Sequence, residues 1–505
     1  MITEDQYQSL CKACDTVLTA EQPCNENSVA ISWLHVIREH PVFLQTYRHL
    51  FEQQRDGEVP QPPDTSPPVA ALKESRIGRI IRRIRALPRS GKEYWILRGQ
   101  PADTTDLLIV SHLLNDNQLG KESDFYFGDI PQQVTAMGFN TAVALINHTT
   151  QTEIPENTWQ DTVVPRFMLS RSLSWWKELG LLIRSRNEAK RLLRSAEQER
   201  DVFLQSIYKG AAGAAAAGGM MFNLRVGLQI EQLVRELRPR AILVTYEGHA
   251  WERLAFAAAR KAVPSILCGG YQHAALFRLQ HAALRPLGFP YDPDHIFCAG
   301  QWGYEQIKTH ADKLGASVAT IGSERAAATD ASVASLHKKS RTCLVIPEGI
   351  ASECELMFSF SLECAELFPE IHFIWRLHPA MSFEQLAVYR NNGGKLPDNI
   401  TLSKAPLDQD IHEASWVLYR GSTAVVQAIC GHAQPLYLRM ENEMIIDPVH
   451  QMKHWKTVIA NSEQFKQAIA QNLHQEEERE LAVRFCRSFY LPLNTAPLIS
   501  WISSN

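Results

Sequence analysis

The amino-acid sequence predicts an α/β chain of two doubly wound domains facing each other across a cleft, with a helical extension at the N-terminus. Short apolar runs of strand length alternate with helical patterns in two successive series, the pattern of parallel sheets covered by helices on both faces. A polar stretch from Ser323 to Ser340 separates the two series and reads as an interdomain linker. At 505 residues the chain also exceeds what one hydrophobic core ordinarily serves.

The extension covers residues 1–92. Ile31, Leu34 and Ile37, then Phe43, Leu44, Tyr47 and Leu50, fall at helical spacing, and a proline-rich linker runs from Gly57 to Pro68. Beyond it Ile77, Ile80, Ile81, Ile84 and Leu87 share one helical face, flanked by Arg76, Arg79, Arg82, Arg83, Arg85, Arg89 and Lys92. This basic amphipathic helix fits two roles equally well: docking on an anionic membrane surface, or packing on its own domain with a solvated basic face.

The first domain spans 93–335. Its strands are expected at Tyr94 to Leu97, Leu107 to Leu113, Phe125 to Phe127, Thr141 to Ile146, Ala241 to Thr245 and Ser265 to Cys268. A helical insertion from about Phe167 to Leu237 carries Trp175, Trp176 and Lys177, then Arg184, Arg186, Lys190, Arg191 and Arg194, which read first as a solvated face and second as an addition to a membrane-facing surface. Within it, Gly210 to Phe222 is too short and too rich in Ala and Gly to cross a bilayer and reads as a close-packed helix at a domain seam. The second domain spans 336–505, with strands at Cys343 to Ile346, Ile371 to Arg376, Ile400 to Leu402, Trp416 to Tyr419 and Leu436 to Leu438.

Composition narrows the class. Apolar residues at 45%, charged residues at 21% and a net charge of -4 exclude general disorder and a nucleic-acid-binding surface, so any basic function is local. Glu4 and Asp5 stand where a secretory leader carries cations, which points to the cytoplasm. Cys11, Cys14 and Cys24 form a lone CxxC plus one, without the second ligand pair a zinc site needs, so the cysteines read as buried or free thiols and no metal or cofactor is expected.

Two constellations carry chemistry in the second domain. Ser415 to Ala428 reads as a strand, a glycine turn and a helix start, with Arg420, Gly421, Ser422 and Thr423 at the turn, where backbone N–H groups and hydroxyls can hold a phosphate or simply cap the helix. Ile371 to Pro379 ends a neighbouring strand in Arg376, His378 and Pro379. A cation and an imidazole at one strand end suit a leaving phosphate, and together with the Gly-Ser-Thr turn they favour phosphate binding over structural roles.

In the first domain a buried strand delivers Glu247 and His249 to the sheet's edge, the carboxylate placed to act as base or nucleophile unless it merely caps the helix beside Gly248. Asp129, after Phe125 to Gly128, is the rival carboxylate. Gln272 and His273 end the next strand as candidate substrate ligands, and Glu348 and Gly349 end the first strand of the second domain, where Glu348 could hold ribose or the base. Asp447 is a further cleft-facing candidate.

The His-Pro motif followed by a Ser/Thr motif resembles bacterial GT-B glycosyltransferases that use cytidine nucleotides, the sialyl-, polysialyl- and Kdo transferases. The runs Tyr246 to Arg253, Tyr271 to Ala274 and Pro347 to Gly349 resemble surface-carbohydrate biosynthesis proteins, from about Glu93 to His450. The resemblance implies two Rossmann-like domains, an acceptor domain and then a donor domain, with His378, Ser422 and Thr423 on the CMP phosphate. Gln427 stands where many UDP- or GDP-sugar enzymes carry a ribose-binding Glu, which weakens a uridine assignment. The implied activity is metal-independent transfer of Kdo or another nonulosonic acid from a CMP donor to a surface-polysaccharide or lipid-linked glycan, on the cytoplasmic side of the inner membrane. The alternatives are a CDP-polyol phosphotransferase of teichoic-acid type, a non-catalytic nucleotide-binding scaffold of polysaccharide assembly, and a nonhydrolysing sugar-nucleotide epimerase.

Overall fold

The computed structural model describes residues 2–20, 24–35, 50–51, 94–98, 104–149, 164–326, 341–378, 381–391, 393–441, 443–470 and 476–504. The proline-rich run, the basic helix, Pro379 and most of the expected interdomain linker lie outside the described residues.

Eight strands build the first sheet: β1 (Tyr94–Arg98), β2 (Leu107–Leu113), β3 (Thr141–Asn147), β4 (Arg166–Leu169), β5 (Ala241–Thr245), β6 (Leu267–Gln272), β7 (His295–Cys298) and β8 (Ser317–Thr320). Their order is β1-β4-β3-β2-β5-β6-β7-β8. β1 runs antiparallel to β4, and the other neighbours pair in parallel. β3 and β5 are buried along their whole length because helices cover both faces, which is why they read as unbroken apolar runs.

The second sheet contains β9 (Thr342–Val345), β10 (His372–Trp375), β11 (Ile400–Leu402), β12 (Trp416–Tyr419), β13 (Gln434–Leu438) and β14 (Thr457–Ile459), all parallel, in the order β11-β10-β9-β12-β13-β14. The chain is therefore an α/β protein with two doubly wound sheets, as its alternating pattern predicts. Strand order reverses between β2 and β5 in one sheet and between β9 and β12 in the other. Connections leave in opposite directions at such a point and open a crevice at the strands' carboxyl ends.

Three expectations need correction. Phe125 to Phe127 is a turn, because the Asp124 carboxylate accepts the Tyr126 and Phe127 N–H groups at 2.9 Å and Gly128 adopts φ +56°, closing the loop on itself. The insertion begins with β4 and then forms three helices, Trp175–Gln198, Val202–Ala216 and Gly218–Leu237, so the Gly210 to Phe222 stretch is divided at Ala217. Its glycines face the N-terminal helices, Gly210 toward Trp33 and Gly219 toward Ser32. Finally, the last residues of the expected second domain return to the first sheet. Leu491 N–H donates to the Ala299 carbonyl at 2.9 Å, and Trp501 packs edge-on against Phe297. β4, β7, β8 and β14 are three or four residues long, too short to show periodicity.

The N-terminal helices Glu4–Thr19, Glu26–Val29 and Ser32–His35 are not an appendage. Leu10, Cys14, Val17 and Leu34 share one apolar cluster with Leu192, Ile207 and Ala211 of the insertion. Beneath them Arg253 is completely buried and donates to Asp292 and to the Ala282 and Arg285 carbonyls. Arg253→Ala leaves the buried Asp292 carboxylate with only the Leu287 and Gly288 N–H groups on it and is expected to cost about 3–5 kcal/mol in urea unfolding.

Candidate functional site

The carboxyl ends of the two sheets enclose a cavity of about 420 Å³. Tyr126, Glu247, His249 and His273 line it from the first domain, and Glu348, Gly349, His378, Gly421, Ser422 and Thr423 from the second. His378 and the Ser/Thr motif thus converge on one space, opposite the loop that follows β5.

That loop is held by a carboxylate below it. Glu252, fully buried in the first turn of helix Ala250–Ala262, accepts the consecutive N–H groups of Glu247, Gly248 and His249 at 3.0, 2.8 and 2.8 Å. The capping acid is therefore Glu252, and the Glu247 carboxylate is left to face the cavity, 3.0 Å from His249 Nε2. Gly248 sits at φ +86°, and a Cβ there would lie 2.1 Å from the Ala282 backbone, so only glycine lets the loop meet the segment that closes this wall. Burial raises the Glu252 carboxyl to about 7, with His249 pulling it down and Glu247 pushing it up.

His273 is buried at the end of β6, its Nδ1 without a hydrogen-bond partner and its ring 4.5 Å from that of Tyr126. Burial holds its imidazole at about 4, so it is neutral near pH 7. Behind Tyr126, His112 packs edge-on against Trp251 and is held by burial, with His148 adding to it, at about 3.

On the facing wall two glycines stand in close contact with side chains of the site. A Cβ on Gly349 would meet the His378 ring at 2.8 Å, and one on Gly421 would meet Glu348 Oε1 at 2.6 Å. Burial lowers the His378 imidazole below its usual value, opposed by the charge of Glu348. Helix Ala424–Cys430 carries no side-chain cap bond from Thr423, and the Ser422 and Thr423 hydroxyls border the cavity.

Other candidates stand elsewhere. Arg420 is 1% exposed and bonds Glu353, Glu443 and the Leu438 carbonyl, a buried ion-pair cluster rather than a phosphate contact. Arg376 is engaged by Asp410 at 2.7 Å and by the Ala405 carbonyl, off the cavity, because β10 ends at Trp375 and the alternation expected to align it with His378 ends there. Asp447 is buried against Tyr419, Val449 N–H and Lys456. Asp129 is exposed, its N–H donating to Glu324 at 2.6 Å, and does not line the cavity, so of the two first-domain carboxylates Glu247 is the one at the site. Gln272 turns its amide onto the Ala274 carbonyl and is likewise absent from the lining, as is Gln427. Three lining residues with polar side chains escape sequence reasoning: Tyr126, in a turn where a strand is expected; Gln280, in a segment without periodicity; and His35, from the extension.

No family model matches the chain, and no curated protein does. Among solved structures, the UDP-GlcNAc 2-epimerase of Methanocaldococcus jannaschii overlaps at 10% identity and a TM-score of 0.42, covering 75% of this chain and 99% of its own. The α,α-trehalose 6-phosphate synthase of Burkholderia multivorans overlaps at 10% identity and a TM-score of 0.47, covering 79% and 98%. The glycotransferase of kitacinnamycin overlaps at 12% identity and a TM-score of 0.45, covering 79% and 98%.

Because Glu252's folded value lies above its unfolded one, the folded state binds the extra proton, and this group's contribution to stability declines as pH rises from about 4.5 to about 7. The stability of the unsubstituted chain relative to Glu252→Gln should fall through that window and level off above it, measured by denaturant unfolding at each pH.

Proposed function

We propose that the chain is a GT-B glycosyltransferase that moves a sugar from a CMP-linked donor, Kdo or another nonulosonic acid, to a surface-polysaccharide or lipid-linked glycan. The observation that carries this reading is the single cavity in which Glu247 and His249 face His378, Ser422 and Thr423. A group-transfer enzyme needs the two walls to do different work, and these differ: one presents a carboxylate beside a histidine, the other an imidazole and two hydroxyls with Glu348 among them.

In this reading His378 and the two hydroxyls hydrogen-bond the donor phosphate. The anomeric C–O bond breaks, and its electron pair leaves on the CMP phosphate. Glu247, oriented by His249, takes the proton of the acceptor hydroxyl as that oxygen bonds the anomeric carbon. The choice of cytidine rests on the motif resemblance.

An acceptor on a lipid would approach from the membrane, and the first domain carries a surface suited to that encounter. Trp175 and Trp176 are 50% and 76% exposed on helix Trp175–Gln198, alongside the exposed cations Lys177, Arg186, Lys190 and Arg194. No helix among the described residues is long and apolar enough to cross a membrane.

Incubation with CMP-Kdo or CMP-N-acetylneuraminic acid and an acceptor glycan is expected to release CMP. Glu247→Gln should lower kcat by about 10²–10⁴-fold, the range for a lost general base. His378→Ala and Ser422→Ala should lower kcat/KM, with Tm close to that of the parent. Turnover of CDP-glycerol with CMP release and phosphodiester formation would replace this reading with polyol-phosphate transfer.

A further inference from the structure

His35 closes the helix Ser32–His35 and belongs to none of the motifs, yet its imidazole lines the cavity beside Glu247 and His249. It is 0% exposed, and its ring nitrogens have no partner of full hydrogen-bond geometry, the Gly248 backbone being the one polar group close to them. Buried polar atoms are nearly always paired, and an imidazole left under-satisfied at the edge of a cavity has hydrogen-bonding capacity to give to whatever fills it.

Its position is fixed from several sides. The Leu34 carbonyl accepts from Arg285, which also bonds Asp15, and Asp15 in turn holds His281 at 2.8 Å. Tyr7 donates its hydroxyl to the Leu279 carbonyl at 2.6 Å, and Arg278 pairs with Glu4. These bonds tie the extension to the segment 278–285, whose Gln280 and Ala282 line the same cavity. Burial, with the charges of Arg285, Arg253 and His249 adding to it, holds the His35 imidazole well below its ordinary value, while the Gly248 backbone draws it weakly upward.

A neutral imidazole carries one donor and one acceptor nitrogen, which matches a hydroxyl and offers an anion no charge. His273, also neutral and also with an unpaired nitrogen, stands in the same wall. We infer that His35, brought in by the N-terminal helices, is a sugar-contacting residue that, with His273, reads hydroxyl groups of the transferred sugar. This rests on the nucleotide-sugar reading of the cavity and assigns specificity to a part of the chain that no motif covers.

Titration calorimetry on the full chain, with CMP and with CMP-N-acetylneuraminic acid as probes, tests it. His35→Ala should leave the Kd for CMP within about twofold and weaken the CMP-sugar about tenfold, the loss of a neutral hydrogen bond in a buried site. His35→Gln, which keeps a donor and an acceptor, should recover most of that loss. A CMP-sugar Kd that His35→Ala leaves unchanged, or a parallel weakening of CMP itself, overturns the role of His35 alone. An unsubstituted chain that binds neither probe overturns the nucleotide-sugar reading and this inference with it.

Discussion

One buried carboxylate organises the first domain's half of the cleft. Glu252 gathers three successive N–H groups that would otherwise be left unpaired where a strand gives way to a helix. With the loop so held, Gly248 can take a positive φ and touch the backbone at Ala282, and Glu247 and His249 are presented together on the cavity side. The same contact couples the loop to segment 278–285, which the N-terminal helices latch through Asp15 and Tyr7. A bond network that begins as helix capping thus reaches from the sheet to the extension.

The second domain solves its half differently. Its most prominent arginines near the cleft are bound internally, Arg420 to Glu353 and Glu443 and Arg376 to Asp410. Burying a guanidinium costs so much desolvation that paired carboxylates and carbonyls are what keep it there. The groups left to the cavity are neutral or acidic: His378, two hydroxyls and Glu348. Glycines at 349 and 421 let those side chains and backbones approach more closely than a methyl group would allow.

The fold and the second-domain motifs were legible in the sequence because both rest on local patterns. β2, β5 and β12 fall at their expected positions, since buried parallel strands read as near-continuous apolar runs. His378, Ser422 and Thr423 follow from strand ends next to proline and glycine, and Glu247 from the same logic. What local pattern does not encode is the partner of a charge. Arg376 and Arg420 have the right chemistry for phosphate, but Asp410 and Glu353 lie 34 and 67 residues away from them in the chain, and nothing nearby announces the pairing. His35 was hidden for the opposite reason: its neighbourhood is ordinary helix, and only tertiary packing carries it to the cleft. Asp124 concealed Tyr126, because an aspartate bonding the backbone two and three residues on converts an aromatic run of strand-like composition into a turn.

Convergence of both domains on one phosphate-linked donor is tested most directly by a crystal structure of the chain with CMP bound. The phosphate should lie within hydrogen-bonding distance of His378 and of the Ser422 or Thr423 hydroxyl, with the ring of His378 seated against Gly349. A phosphate bound away from these residues would contradict it.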